Sequence, residues 1–452
     1  MTSNPRKAAL SVLNQLSKKN NKTLDNVLDN VLQKHTKLSK KDMALFHTLV
    51  YGVLRWQARL DLIIDHFSKI RINRINLNVL NILRLGLYQI VFLDRIPVSA
   101  AVNTSVELAK TSSAPWIKGF VNGLLRNASQ NYEKLSYPSK KENPVSYIAA
   151  KKSFPKWLIK KWVLRFGIKE TEKLCDAINN IPMLTIRTNT LKIRQDQLAD
   201  ALKHDVNEIN LTEFSPQGMT LKGLNKPVSE FQAYKDGWFQ VQDQAAQLVT
   251  CMVNPIPEMS VLDACAGLGG KTGHMAQQMN NKGSITAMDN NPEKLKCLEK
   301  DMARLGVSIV QTYVHDLNIP PDINKLGTFD RILIDAPCSG LGVISRNPDT
   351  KWAKSKKNLN RYQQRQIKFL SNLTHLLKPS GTLTYAVCST EPEENEMVIK
   401  EFLDKHTEFK IKKDFQNRSG ALKKLMTDKG CLKTLPHKNN MDGFFCVVLV
   451  MV

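Results

Sequence analysis

From about residue 236 onward, this 452-residue chain alternates short apolar runs with amphipathic stretches of helical period. That alternation leaves little choice of fold: strands joined by helices build an open sheet with helices on both faces. The pattern predicts strands near 260–264, 284–288, 309–314, 329–335 and 381–388, and a last one at 444–450. Helices are predicted near 272–280, 292–305, 357–377 and 394–404. A doubly wound parallel sheet is the expected form, and such sheets take ligands at the carboxyl ends of their strands. Three segments stand there: VLDACAGLGGKT at 261–272, IDAPCSG at 334–340 and YAVCST at 385–390.

The first third has another character. After Thr23, a candidate N-cap, Leu24, Val27, Leu28, Val31 and Leu32 share one helical face. Further helices are predicted near 42–66, 77–93, 98–112 and 118–131, which makes residues 1 to about 135 an all-α bundle. A polar, proline-bearing stretch from 136 to 144 reads as a linker. Residues 168–235 mix helix and strand signals, as in MLTIR at 183–187, and suggest a small α+β module. The expected division is therefore 1–138, 139–235 and 236–452.

Charge follows the same division. Residues 1–165 hold 28 Lys+Arg against 9 Asp+Glu, most of the net +24, whereas 201–350 are slightly acidic. A basic arm on a near-neutral body reads as a nucleic-acid docking element. Lysines interleave with aromatics over 151–166, where they can meet phosphates and stack on bases. Equally, Trp157, Ile159, Trp162 and Phe166 can form the buried stripe of an amphipathic helix.

The glycine-rich loop at 264–271 lets backbone approach a bulky ligand at a helix N-terminus. A phosphate-binding P-loop is excluded, because it needs glycine where Cys265 stands. Twenty residues after Gly269, a strand ends at Asp289, a carboxylate suited to ribose hydroxyls. Asp316, after the next strand, can accept the exocyclic amine of adenine. These spacings suit NAD and S-adenosylmethionine equally.

None of the eight cysteines lies in the first 174 residues and no C-x-x-C pair occurs, so no metal site is expected. Reduced thiols, no secretory signal and no apolar run long enough to span a bilayer suggest a cytoplasmic protein. Cys175, Cys297 and Cys446 read as small buried hydrophobes, and Cys265 as a packing residue of its loop. Cys338 and Cys388 fall at strand ends on the ligand face. Two such thiols beside a cofactor loop suit methylation of pyrimidine C5, where a thiolate added to C6 makes C5 nucleophilic. Asp335, three residues before Cys338, can hold the N3/N4 edge of the base.

The segments DACAGLGGKT, AMDNNPEKL, FDRILIDAPCSGLGVISRNPDTKW and YAVCSTEPEENE resemble the successive motifs of the Nol/Nop/Sun family of RNA cytosine-5 methyltransferases. FPKW at 154–157, IRTNTLK at 186–192, VQDQA at 241–245 and DGFF at 442–445 extend the resemblance, and residues 1–135 resemble a NusB-type RNA-binding domain. The combination is similar to the bacterial branch acting on 16S ribosomal RNA, which would then be the partner, with no membrane and no obligate protein partner. The resemblance implies S-adenosylmethionine held by Cys265, Ala266, Gly267, Leu268, Gly269, Gly270, Lys271, Asp289, Asp316 and Asp335. It makes Cys388 the nucleophile and Cys338 the residue assisting breakdown of the adduct, an order that residue chemistry leaves open. Two departures stand out: Gly267-Leu268 replace the family's Ala-Pro, and Val387 replaces the threonine before the nucleophile. The same chemistry on tRNA or 23S rRNA is one alternative. A non-catalytic RNA-binding or antitermination factor is another, and an NAD-linked oxidoreductase a distant third.

Overall fold

The computed structural model describes residues 4–18, 23–34, 38–110, 114–413 and 420–452. It resolves into two compact units: Met1–Asn180 with Asn347–Ala353, and Ile181–Arg346 with Lys354–Val452.

The first unit is helical among its described residues. Its longer helices are Pro5–Ser17, Leu24–Leu32, Lys40–Phe67, Leu77–Phe92, Val98–Ala109, Trp116–Asn131, Pro144–Lys152 and Lys156–Asn179. The predicted extension from 110 to 112 enters residues outside the described set. Side chains of Asn4, Ser39, Asn76 and Asn143 cap four of these helices by accepting from free first-turn N–H groups. Thr23 occupies the N-cap position without a side-chain cap bond. The predicted face, Leu24, Val27, Leu28 and Val31, is buried in the bundle core with Val12, Phe46, Leu49 and Leu83.

In the lysine–aromatic stretch, Phe154, Leu158, Ile159 and Trp162 are buried. From Lys156 the stretch is therefore an amphipathic helix with Lys156 and Lys160 outside, Lys151 and Lys152 closing the helix before it, and Trp162 is not available to stack on a base. Trp157 and Phe166, expected in the stripe, are only half-buried. Lys351, from the returning segment, is fully buried. Its ammonium donates to Arg55 O and Ser153 O at 2.7 Å and to Asn179 Oδ1 at 3.4 Å, and lies 4.0 Å from the Phe154 ring centroid. Three acceptors match its three donors, which is what allows a lysine inside a core. Burial still pushes its pKa well down.

The second unit holds two sheets. Strands β1 (Leu184–Thr188), β2 (Val206–Leu211), β3 (Gly218–Leu224) and β4 (Phe239–Val241) pair antiparallel in the order β2-β3-β1-β4. The larger sheet contains β5 (Ser260–Asp263), β6 (Ser284–Asp289), β7 (Val310–Val314), β8 (Phe329–Asp335), β9 (Leu377–Val387), β10 (Phe409–Ile411), β11 (Cys431–Lys433) and β12 (Phe445–Met451). Its order is β10-β12-β9-β8-β5-β6-β7, with β11 also on β12. Strands β5 to β9 are parallel, but β12 runs antiparallel to β9, so the sheet is mixed rather than wholly parallel. The chain reaches β12 through the short β10 and β11, whose three residues each are too few to show a period.

Side chains of period two feed two cores. Leu262, Ile332, Ile334, Leu383, Tyr385 and Val387 meet Phe369, Leu370 and Phe402 on one face. Val261, Leu333, Ala386 and Cys446 meet Leu248, Met252 and Met275 on the other. A strand buried on both faces needs apolar residues at every position, hence the continuous apolar runs. The helix predicted to 377 ends at Ser371, and a 3-10 turn at Thr374–Leu376 carries its apolar spacing onward. Among the described residues, no helix is long and apolar enough to cross a membrane.

Candidate active site

The sheet switches direction at β5: the chain steps outward to β6 and β7, then returns to place β8 on the other flank. A crevice opens at such a switch. Around it stand the carboxyl ends of β5, β6, β8 and β9, which carry Asp263, Asp289, Asp335 and the Cys388 turn.

The loop after β5 is pinned by backbone bonds. Ala266 N donates to Met288 O at 2.9 Å, and Gly267 N to Asp289 Oδ2 at 3.0 Å. Gly269 has φ +84°, and a Cβ there would lie 2.6 Å from Leu298 Cγ, so both conformation and space require glycine. Gly267, at φ +57°, has open space around it, and Leu268 is exposed. The departure from Ala-Pro thus falls on the open side of the turn. Val387 is buried in the apolar core, so the side chain before Cys388 serves packing.

Five ionisable groups follow. Asp263 is buried; its Oδ2 accepts from Thr272 Oγ1 at 2.7 Å, while Oδ1 has no partner. Burial raises its pKa to about 7, against the pull of the Thr272 hydrogen bond. Lys271 Nζ donates to Asp335 Oδ2 at 2.5 Å and lies 5.5 Å from the Phe444 ring centroid. Burial opposes the charge of Lys271, but attraction to Asp335 and their hydrogen bond outweigh it, and its pKa is raised. Asp289 Oδ1 accepts from Asn291 N at 2.9 Å. Asp316 lies two residues beyond β7, exposed, with Oδ1 accepting from Asn318 N and Nδ2. Those bonds, the backbone one foremost, lower its pKa.

Cys338 Sγ and Cys388 Sγ lie 3.3 Å apart, although fifty residues separate them in sequence. The Cys388 hydrogen bond, then burial, raises the Cys338 pKa well above that of a free thiol. Gly342 wedges between the strand ends: its N–H donates to Cys388 O at 3.0 Å, and its carbonyl accepts from Gly443 N at 2.9 Å. All eight cysteines are thiols rather than disulfides. Cys175 and Cys446 are buried as expected, but Cys297 is exposed on helix Pro292–Leu305, on the face turned away from the core residues Leu295, Leu298 and Met302. Cys265 packs partly buried against the core.

Several residues matter that the sequence offered only as members of motifs. Arg187, buried on β1, donates to Gly270 O at 2.9 Å, to Gln277 Oε1 at 3.2 Å and to Gln242 Oε1. It braces the loop–helix junction from beneath, and burial lowers its pKa to about 9. Arg346 bridges Asp243 and Asp442, each at 2.8 Å, joining the VQDQA and DGFF segments to the Cys338 loop. Glu394 accepts from the serines that follow both cysteines. A buried cation or carboxylate is rare enough to flag a position, but its partners emerge only from the fold.

The chain matches three family descriptions: the 16S rRNA methyltransferase RsmB/F family over residues 250–450, the NusB family over 3–130, and an RsmF/B-like ferredoxin-like domain over 154–228. It is 35% identical over 444 residues to the probable ribosomal RNA small subunit methyltransferase B of Synechocystis sp., covering 97% of this chain and 98% of that one. It is 33% identical over 440 residues to the corresponding Bacillus subtilis protein, covering 97% of each. The crystal structure of PH0851 superposes over 100% of this chain and 99% of its own, with TM-score 0.81 and 25% identity. Identity at that level over whole chains places the protein: it belongs to the ribosomal RNA small subunit methyltransferase B family.

Proposed function

We propose that this protein transfers a methyl group from S-adenosylmethionine to C5 of a cytosine in 16S ribosomal RNA, through a covalent bond between Cys388 and C6. The observation that carries the reading is the pair of thiols at 3.3 Å beside the Lys271–Asp335 ion pair, with Asp335, Cys338 and Cys388 at the carboxyl ends of adjacent strands and Lys271 in the first turn of the helix after the loop. The division into a helical domain over 1–138, a connecting module over 139–235 and a catalytic domain over 236–452 belongs to the same proposal. Cytoplasmic location and the absence of an obligate protein partner belong to it too.

The residues present fit the cofactor. Asp263 Oδ1, buried and without a partner, is an acceptor suited to a cationic amino group. Asp289 receives one backbone N–H on each oxygen and keeps lone pairs for ribose hydroxyls. Asp316, although exposed, keeps Oδ2 free of the Asn318 bonds for an adenine amine. The loop from Cys265 through Ala266, Gly267, Leu268, Gly269 and Gly270 to Lys271 would line the remainder. When bound, S-adenosylmethionine supplies an electrophilic methyl group on a sulfonium.

In this reading the base leaves any stack to enter the crevice. The Cys388 thiolate forms a bond to C6, and the displaced electron pair makes C5 enamine-like. Asp335, held by Lys271, orients the N3/N4 edge of the ring. C5 takes the methyl group, a base removes the C5 proton, and the C6–sulfur bond breaks with its electron pair returning to Cys388. Cys338 assists this last stage. The order of the two cysteines rests on the family resemblance.

The test is transfer of labelled methyl to total RNA from a strain lacking the gene, resolved by RNA size. Label confined to 16S supports the proposal. Label in tRNA or 23S keeps the chemistry and discards the substrate. No label in any RNA, partly assembled small subunits included, favours an RNA-binding factor.

A further inference from the structure

Beyond Asp335 and Val387 the sheet no longer fixes the two cysteine loops. Residues 336–349 contain no regular helix or strand, and Cys388–Glu391 are a short irregular connection. Something other than sheet register must hold the two sulfurs at 3.3 Å. Glu394, on the 3-10 turn Pro392–Glu394, is fully buried and links these loops through hydrogen bonds rather than lining the crevice wall.

Its carboxylate collects four donors. Oε1 accepts from Ser339 N at 2.7 Å and Gln366 Nε2 at 3.3 Å. Oε2 accepts from Ser339 Oγ at 2.5 Å and Ser389 Oγ at 2.6 Å. Ser339 directly follows Cys338, and Ser389 directly follows Cys388. Both hydroxyl oxygens also accept: Ser339 Oγ from Leu341 N at 3.3 Å and Ser389 Oγ from Glu391 N at 3.2 Å. Each hydroxyl is in reach to donate to Glu394 Oε2, and the two hydroxyl oxygens also lie 3.3 Å from each other. The glutamate is anchored in turn, since Tyr385 OH donates to its carbonyl at 2.7 Å.

We infer that Glu394 is a positioning residue: its carboxylate ties the Cys338 and Cys388 loops together and sets the separation of the two thiols. The inference rests on the proposed function for its catalytic meaning, while the geometry stands without it. All four neighbouring groups donate to the carboxylate, and an acceptor-only side chain satisfies them together. Burial raises the carboxyl pKa, and the serine hydrogen bonds pull against that rise. Glutamine has the same shape but puts an NH2 group in place of one carboxylate oxygen, so at least one arm of the tie loses its acceptor.

The experiment compares the full-length protein with Glu394→Gln by two readouts. One is methyl transfer, with kcat and KM for RNA measured separately. The other is the rate at which diamide, a thiol oxidant, closes a Cys338–Cys388 disulfide, followed by mass spectrometry. Oxidation needs no methyl transfer, so it reports on thiol separation even if the proposed reaction fails. The expected result for Glu394→Gln is kcat lower by about 100-fold, as for a displacement near 1 Å, KM for RNA unchanged, and disulfide closure at least about tenfold slower. Wild-type closure and kcat in Glu394→Gln overturn the inference. Lost kcat with wild-type closure also overturns it, since Glu394 would then act other than by position. If Glu394→Gln does not fold, Ser339→Ala and Ser389→Ala decide: each removes one arm of the tie, slower closure in both is expected, and unchanged closure in both overturns it.

Discussion

Gly342→Ala isolates the contact that brings three separate motifs to the reaction centre. An ideal Cβ on Gly342 would lie 1.8 Å from Gly443 O and 3.0 Å from the Cys388 carbonyl carbon. Real Cβ atoms essentially never approach another atom closer than 3.0 Å, so one backbone must retreat by more than an ångström. The φ of Gly342 is not in the left-handed region, which leaves sterics as the only cost. Retreat breaks or stretches two buried backbone bonds, Gly342 N to Cys388 O and Gly443 N to Gly342 O. At about 1 kcal/mol for each bond and about 1–2 kcal/mol for overpacking, the loss of stability is about 3–4 kcal/mol. Because Cys388 is one of the two anchors, the same displacement lowers kcat by about 100-fold. Urea unfolding measures the first quantity, and methyl transfer per mole of folded protein the second. Gly119→Ala is the control: on the exposed face of helix Trp116–Asn131, with nothing within 4 Å of its Cβ, it raises stability by about 1 kcal/mol. A Gly342→Ala protein with wild-type midpoint and rate would refute the close approach of Gly342, Gly443 and Cys388.

Three further outcomes follow from buried polar groups. Arg187→Met leaves Gly270 O and two glutamine oxygens without their donor; S-adenosylmethionine binding, followed by calorimetry, weakens about tenfold or more, equivalent to about 1.4 kcal/mol. Lys351→Met keeps the length of the side chain but removes the ammonium from which Arg55 O and Ser153 O accept; thermal unfolding reports a loss of about 2–4 kcal/mol. Asp263, with its pKa raised from 3.8 to about 7, keeps its proton in the folded state over a range where the unfolded chain has lost it. Its contribution is therefore present below about pH 4 and is lost as pH rises through about 7, a span on the order of 4 kcal/mol. The difference in stability between wild type and Asp263→Asn accordingly shifts in favour of the variant between about pH 4 and about pH 7, as measured by urea titrations; a pH-independent difference contradicts the buried, unpartnered Oδ1.

Much of the sheet is legible in the sequence because its information is periodic. Strands β5, β6, β7 and β8 lie within a residue of their predicted spans, and helix Pro292–Leu305 matches its prediction. Helix Pro292–Leu305 carries its own punctuation: Asn291 caps it, Pro292 opens it, and Gly306 ends it in the left-handed conformation. The direction of β12 was not legible, since an apolar run has no polarity until its neighbours are known. Nor could Cys297 be told from a buried cysteine, because one small apolar residue on a charged helix carries no side of its own. The site residues divide the same way. Asp289, Asp335, Cys338 and Cys388 are marked by standing at strand ends. Arg187 and Glu394 act through partners 83 and 55 residues away, Gly270 and Ser339, which only the folded chain brings within reach.

The most direct test of the central claim separates the two thiols. Cys388→Ala and Cys338→Ala proteins, incubated with S-adenosylmethionine and substrate RNA, are run on denaturing gels to detect RNA-linked protein. The account predicts no turnover and no linked species for Cys388→Ala, and a stable linked species for Cys338→Ala whose bond maps to Cys388. A linked species in Cys388→Ala mapping to Cys338 would reverse the two roles. Full turnover in Cys388→Ala would contradict covalent catalysis by this pair altogether.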